Sequence, residues 1–430
     1  MNSIEVLLLA CAGTLFTVSL VRKGAPAISI ALAVMTGSLA AHIIAPLSLE
    51  PMSVQSAVIV FFSLVALSAP TWLPARKPAR EKAGHGDSGV AFARLVLLAV
   101  VLLSATLIGF HAFTSSVAAA TGTGFNSLSL VEVRAAQNGA ARGGGLLVLL
   151  GSLGTVLGCV GVYGALRFSR FWLILPAVSL AVVLQNPSRS NSISLIVVLA
   201  VFYLQVRSSV PPRRGTRGSL SRRSQWMRAA LFSTLVTVGA ISVFNVVGSE
   251  LGKNEMASTL FPDYSWPAWS LSPIYYVAGG FSALSEAMRL GTSPFAPGSS
   301  FFSILRVFNA VGGPPPPETI AAYVYIPTPF NLYTGPGQLF FDSGIFGTIV
   351  AMLALGILLT YAHRRAQAGY TEWAWVSSVL FTVALSLPQS FTLFRLDLDF
   401  EILVGFCVFL AIRRSAVRST APAVRLRDRL

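Results

Sequence analysis

The residues able to do chemistry in this chain are few, and they gather late. The segment Pro327-Thr-Pro-Phe-Asn331-Leu-Tyr333-Thr334-Gly-Pro-Gly-Gln338-Leu-Phe-Phe-Asp342-Ser-Gly344-Ile-Phe-Gly347 brings an amide, a phenol, a hydroxyl and a carboxyl to the head of an otherwise apolar run. Asp342 falls about one turn inside that run, where an acid is costly and marks a functional site by default. Its plainer use is compensation of helix N-terminal charge. Gly344 and Gly347 beside it are expected to allow close helix approach. Four arginines, Arg134, Arg189, Arg306 and Arg395, stand in separate polar segments. Arginine grips phosphate through a rigid donor fork. Each one alone has an ordinary use as a headgroup contact or ion pair, for example Arg134 with Glu132 or Arg395 with Asp397. Together they describe a site for an anion.

Other chemistries find no support in the spacing. Cys11, Cys159 and Cys407 all fall inside apolar runs, with neither a disulfide framework nor metal-ligand spacing. His42, His85, His111 and His363 form no zinc-binding pair. The G-x-G at Gly122–Gly124 lacks strand–helix context. No metal and no cofactor is expected.

The elements that must position these residues are read from composition. Hydrophobic residues make up 54% of the 430 and charged residues 11%, with a mean hydropathy of +0.71. A soluble chain would carry about a quarter charged residues. Apolar runs near 4–21, 26–46, 54–74, 91–113, 146–165, 171–186, 192–206, 229–248, 339–361, 372–392 and 400–412 are expected to be membrane spans, since about 20 helical residues cross the hydrocarbon. Pro176 and Pro187 interrupt the runs between 171 and 206. The fold class is therefore all-α, a polytopic integral membrane protein with about eleven transmembrane helices (10–12). Barrel strands alternate in hydropathy and are excluded by the continuous Leu/Val/Ala runs.

A net charge of +15 does not mean nucleic acid here, because basic residues in membrane proteins set topology. With the amino end outside, only Arg134, Arg142, Arg189, Lys253, Arg289, Arg306 and Arg395 of the 31 basic residues stay outside. Every cytoplasmic segment then obeys the positive-inside rule. The division that follows has spans one to eight in 1–248, with an outer loop 114–145 and a basic cytoplasmic loop 207–228. A large outer loop 249–338 comes next, then spans nine to eleven in 339–412 and a basic cytoplasmic tail 413–430. The outer loop is rich in aromatics, which a disordered linker would lack. It should fold as short helices on the outer face, one of them near 272–289.

Asn331-Leu-Tyr333-Thr334 followed by Asp342-Ser-Gly344-Ile-Phe-Gly347 resembles the late signature of the bacterial O-antigen and oligosaccharide repeat-unit polymerases (Wzy-type). Ser188-Arg189-Ser190 before an apolar run is similar to that family's Ser/Gly-Arg-Gly step, with Ser190 where the family has Gly. Arg134 matches an arginine of the first sizeable outer loop, and the plan of many spans with one late outer loop agrees along nearly the whole chain. The resemblance implies a GT-C-like arrangement and a metal-independent glycosyltransferase of the bacterial inner membrane. Its substrate would be an undecaprenyl-pyrophosphate-linked oligosaccharide, transferred at the outer face to the end of another lipid-linked unit. Arg134, Arg189, Arg306 and Arg395 would bind pyrophosphate and sugar with Asn331 and Thr334. Asp342, Tyr333 and Arg306 would be the catalytic set. Membrane lipids, a chain-length regulator and a flippase are the partners implied, with no nucleic acid. An O-antigen-ligase-type transferase is the nearest alternative, although such enzymes usually place a His in the large outer loop and this loop has none. A non-enzymatic flippase or transporter would be expected to carry more ionisable residues along its spans.

Overall fold

The computed structural model describes residues 3–21, 26–45, 47–72, 88–138, 146–185, 189–209, 241–242, 245–246, 248–250, 253–291, 293–310, 312–315, 321–326, 328–393 and 395–418. Along the chain these form α1 (Ser3–Val21), α2 (Pro26–Ile44), α3 (Val54–Ser68), α4 (Ser88–Thr121), α5 (Leu130–Asn138), α6 (Gly154–Arg167), α7 (Ile174–Leu184) and α8 (Arg189–Ser209). Then follow α9 (Lys253–Leu260), α10 (Ala268–Leu290), α11 (Phe302–Ala310), β1 (Val324–Tyr325), β2 (Pro329–Phe330), α12 (Gly335–Gln367), α13 (Thr371–Ser386) and α14 (Leu396–Arg418).

The all-α expectation holds. Among the described residues, six helical stretches are long and apolar enough to cross a membrane: Ser3–Leu20, Pro26–Ile44, Val54–Thr71, Phe92–Thr121, Leu147–Arg167 and Gly335–Gln367. Arg170–Leu184 and Asn191–Arg207 are shorter apolar helices. Pro176 does not interrupt its run, because it sits in the first turn of α7, where its missing N–H is not needed. The expected span 229–248 and the basic loop lie almost entirely outside the described residues, as do Pro187 and the tail beyond Arg418.

The chain forms two compact units, and they cut across the linear division expected from hydropathy. One comprises Met1–Lys77, Gly252–Arg364 and Leu380–Asp399, so the large loop folds with the first three helices. The other comprises Pro78–Leu251, Arg365–Val379 and Phe400–Leu430.

In the first unit, serines stitch α10 to the connection between α2 and α3. Ser282 donates to the Glu50 carbonyl at 2.7 Å, and Ser285 accepts from the Ser53 amide at 3.1 Å while donating to Ser56 at 2.9 Å. Small hydroxyls let helices approach while satisfying backbone groups. Ser53 also caps α3, accepting from the Ser56 amide. Beneath α10 lies a core of Leu47, Phe261, Leu271, Tyr275, Val324, Ile326, Phe330 and Tyr333. The hairpin pairs Val324 with Phe330 and Tyr325 with Pro329. Period-two alternation therefore turns Val324, Ile326 and Phe330 inward and leaves Tyr323 and Tyr325 exposed. Gly279 makes room for Phe330, since a β-carbon there would come within 2.9 Å of its ring.

The second unit packs on the same small-residue logic. A β-carbon on Gly109 of α4 would lie 2.0 Å from the Gly151 nitrogen, so two backbones touch there. Gly161 and Gly164 admit Pro176 and Trp172. Glu372, buried, takes Arg413 at 2.9 Å. The guanidinium carbons of Arg365 and Arg413 lie 5.0 and 4.9 Å from the centroid of the Tyr370 ring. The turn after α12 and the last turns of α14 are thereby joined by cation–π and ion-pair contacts.

Candidate functional site

The late polar segment builds the head of α12 and uses most of its functional groups to do so. Thr334 is fully buried, and its hydroxyl accepts from the Gly337 amide at 3.1 Å, capping the helix. Tyr333 is 1% exposed, packs its ring on Phe295 and Phe341, and donates its hydroxyl to the Ala322 carbonyl at 2.8 Å. Burial pushes its phenol well above the usual tyrosine range. Both side chains reach a substrate only through the backbone they hold in place. Asn331, half-buried, lies between β2 and α12.

The helix α12 is broken at Gly344, whose φ of 65° and ψ of −174° belong to a region open in practice only to glycine. A β-carbon there would meet nothing within 4 Å. The expectation that Gly344 allows close helix approach is therefore corrected: the position requires conformational freedom, not space. Gly347 is tight, but against its own chain, with Ser343 atoms 2.4 Å from where its β-carbon would be. Asp342-Ser-Gly344-x-x-Gly347 is thus the sequence of a kink. Helix-spaced side chains alone do not disclose it.

Just above the kink, Asp342 reaches across the unit. Its carboxylate accepts from the Ser300 amide at 2.6 Å, the Gly298 amide at 3.1 Å and the Ser299 hydroxyl at 3.2 Å. These donors are the turn that opens α11, with Gly298 at φ 82°. Asp342 compensates a helix N-terminus, as acids do, but that of α11 and not of its own helix. It fixes the start of the helix carrying Arg306. Arg306 itself is exposed, with its guanidinium carbon 5.8 Å from the Phe302 ring centroid.

The same segment holds the connection between α13 and α14. The Gly335 amide donates to the Leu387 carbonyl at 2.7 Å, and the Phe391 amide to the Gln338 side chain at 3.0 Å. Gly280 of α10 admits the Pro388 carbonyl, which would be 2.6 Å from a β-carbon. Beyond this connection Arg395 forks onto Asp397 at 2.6 and 3.2 Å, so the ion pair weighed for it is formed. Asp399, half-buried, bonds the hydroxyl of Ser303 on α11. Burial raises its carboxyl pKa above the ordinary value, the Ser303 bond opposes this, and Asp397 adds to it.

Arg306, Asn331, Tyr333, Thr334, Asp342 and Arg395 all belong to the first unit. Arg134 lies in α5 and Arg189 opens α8, both in the second unit, and neither side chain is among those described. Glu132, the carboxylate weighed as a partner of Arg134, accepts from the Ser129 amide at 2.7 Å and from the Ser129 hydroxyl at 2.8 Å. That capping box lowers the Glu132 pKa. Arg289, another arginine expected outside, forks onto Glu286 at 2.6 Å. Asp399 escaped the sequence reading; its signal was a pair of acids two residues apart ahead of an apolar run.

The elements and site together define a polytopic α-helical membrane protein with a polar cluster at the head of α12. Comparison with protein-family models, with curated proteins and with solved structures gives no match.

Proposed function

We propose that the chain is a polysaccharide repeat-unit polymerase of the bacterial inner membrane, moving an undecaprenyl-pyrophosphate-linked oligosaccharide onto the end of another lipid-linked unit at the outer face. The observation that carries the reading is the short helix α11. It presents Arg306 outward, while Ser303 of the same helix meets Asp399, a carboxyl of raised pKa. An exposed cation and a shifted carboxyl brought together by one small element are what glycosyl transfer from a pyrophosphate needs.

In the reaction the acceptor hydroxyl oxygen forms a bond to the anomeric carbon of the donor sugar. The carbon–oxygen bond to pyrophosphate breaks, and the lipid pyrophosphate leaves with the electron pair. Arg306 stabilises the charge that develops on the leaving oxygens, a contact whose loss costs about a hundredfold in rate. Asp399 takes the acceptor proton. Asp342 is a positioning residue, because its oxygens already accept two amides and a hydroxyl. Tyr333, Thr334 and Asn331 shape the segment that holds α11 and the start of α14. Arg134 and Arg189 keep the expected role of anion-binding residues of the second unit, and the Arg395–Asp397 pair supports Asp399. Phosphate chemistry of this kind needs only oriented donors and a base, so the proposal calls for no metal or cofactor. A chain-length regulator and a flippase would act before and beside it.

The test is direct. The purified protein in vesicles is given a synthetic undecaprenyl-pyrophosphate repeat unit, and products are resolved by size. A ladder of multiples, lost in Arg306→Ala, supports the reading. Unchanged monomer with folded wild-type protein overturns it.

A further inference from the structure

The helix α11 shows a second feature that glycosyl transfer does not explain. Ile304, Val307 and Phe308 are 55%, 59% and 56% exposed, and at 3.6 residues per turn they share one face. Ser303 faces inward, tied to Asp399, and Arg306 lies on the side away from the apolar face. Three large apolar side chains in a row on a nine-residue helix are costly to leave in water, at about 1.5–3 kcal/mol for each fully buried one.

What covers them follows from where the helix is tied. The amides at Gly298 and Ser300 are bound by Asp342, which lies two residues before the break in α12. Past that break runs an exposed stripe, Phe346, Val350, Leu353, Ile357 and Tyr361, with Phe346 79% exposed. These positions fall at i, i+4, i+7, i+11 and i+15, one face of a helix long and apolar enough to cross a membrane. Such a face meets acyl chains. The start of α11 is therefore held two residues before the break past which that face begins.

We infer that α11 lies in the plane of the outer leaflet, with Ile304, Val307 and Phe308 among the acyl chains and Arg306 at the level of the lipid phosphates. An in-plane helix buries its apolar face about 5–10 Å into the headgroup–acyl boundary. The headgroup layer adds roughly 5–8 Å on each side of the hydrocarbon, and a helix with its side chains is about 10–12 Å across. A guanidinium on the upper side of such a helix thus stands among phosphates. The occupant is the membrane's own phospholipid. For the link to a lipid-pyrophosphate substrate, and for that link alone, the inference rests on the proposed transfer reaction.

The experiment is site-directed spin labelling of the full-length protein in lipid nanodiscs, in a background with the three native cysteines replaced. Val307→Cys, Phe308→Cys and Arg306→Cys are compared with Leu353→Cys on the stripe, each read by collision with oxygen and with a water-soluble nickel chelate. The oxygen-to-nickel ratio is expected to be high at 307 and 308, approaching that at 353, and low at 306. Equal nickel access at 306, 307 and 308 places the helix in water and overturns the inference. Low access to both reagents at 307 and 308 means that protein covers the face, and overturns it equally. None of these readouts depends on glycosyl transfer, so a failed polymerase assay leaves the result intact and a failed labelling result leaves the polymerase assay intact.

Discussion

At the scale of single residues, two carboxyls divide the work of the proposed reaction. Asp342 has three donors around its oxygens and fixes a turn, whereas Asp399 has one hydroxyl and a burial-raised pKa. The roles separate by substitution. Asp342→Asn keeps a side-chain oxygen for the Ser300 amide, so it should retain much of the chain growth that Asp342→Ala loses; equal loss in both would make Asp342 the proton acceptor. For Asp399 the sign follows from the direction of its shift. A base must be deprotonated, so the transfer rate should fall as pH drops through an apparent value above the ordinary carboxylate range of about 4. Asp399→Asn should remove that limb along with most of the rate. A pH–rate profile unchanged in Asp399→Asn would take the base elsewhere. Arg306→Ala should cost about a hundredfold, and Arg306→Lys should recover part of it, measured as initial rate of product-ladder formation. The polar identity of this site was visible in the residues from Asn331 to Asp342. Their partners were not, because Gly298, Ser299 and Ser300 lie more than forty positions away and carry no pattern of their own.

The elements tell a similar story about legibility. Apolar runs of 18 residues and more declared α1 to α4, α6 and α12, because the bilayer length requirement leaves little freedom. The break in α12 was not declared. Asp342-Ser-Gly344 reads as a helix with a small face, and only the backbone shows that Gly344 occupies φ 65°. The energetic consequence is specific. Gly344→Ala should cost on the order of 1–3 kcal/mol, the scale of a residue forced into such a conformation. It should appear as a lower melting temperature in detergent, with loss of activity as α11 is pulled from its seat. Gly13, also on a helix and also with nothing within 4 Å, should accept Ala without such a cost. A Gly344→Ala protein as stable as the wild type would show that the helix tolerates a straight path there. Likewise the helix expected near 272–289 exists as α10, but its bonds run to the α2–α3 connection and the start of α3, pairings 229 and 232 positions apart that hydropathy does not encode.

For the whole molecule, charge asymmetry remains the guide to sidedness. The basic end of α12 and the basic end of α14 are joined around Tyr370 and Glu372; which side of the membrane they face is what a topology experiment must establish. A reporter inserted at Ser293 should read as external and one fused after Arg418 as cytoplasmic. The opposite pair of signals would put Arg306 and Asp399 on the wrong side of the membrane for a lipid-linked donor delivered outside. The number of spans is not set by hydropathy alone. Runs near 171–206 are short, and α14 carries Asp397, Asp399 and Glu401 ahead of its apolar part, so among the described residues length and composition alone give six.

The break at Gly344 also sets a ruler. The part of α12 that continues beyond it starts at Ile345 and runs to Gln367, with Asp342 and the outer helix fastened immediately above. In a bilayer thicker or thinner than this apolar length, mismatch is met by tilt or local deformation at a modest cost per ångström. On the proposed reading the glycine is the joint where that adjustment would fall, and the tether to α11 would carry it to Arg306. Chain growth should therefore depend on acyl-chain length in reconstituted vesicles, with an optimum. In Gly344→Ala that optimum should shift or flatten. On that reading, the feature that ends one helix and begins another would make the thickness of the membrane a variable of the site.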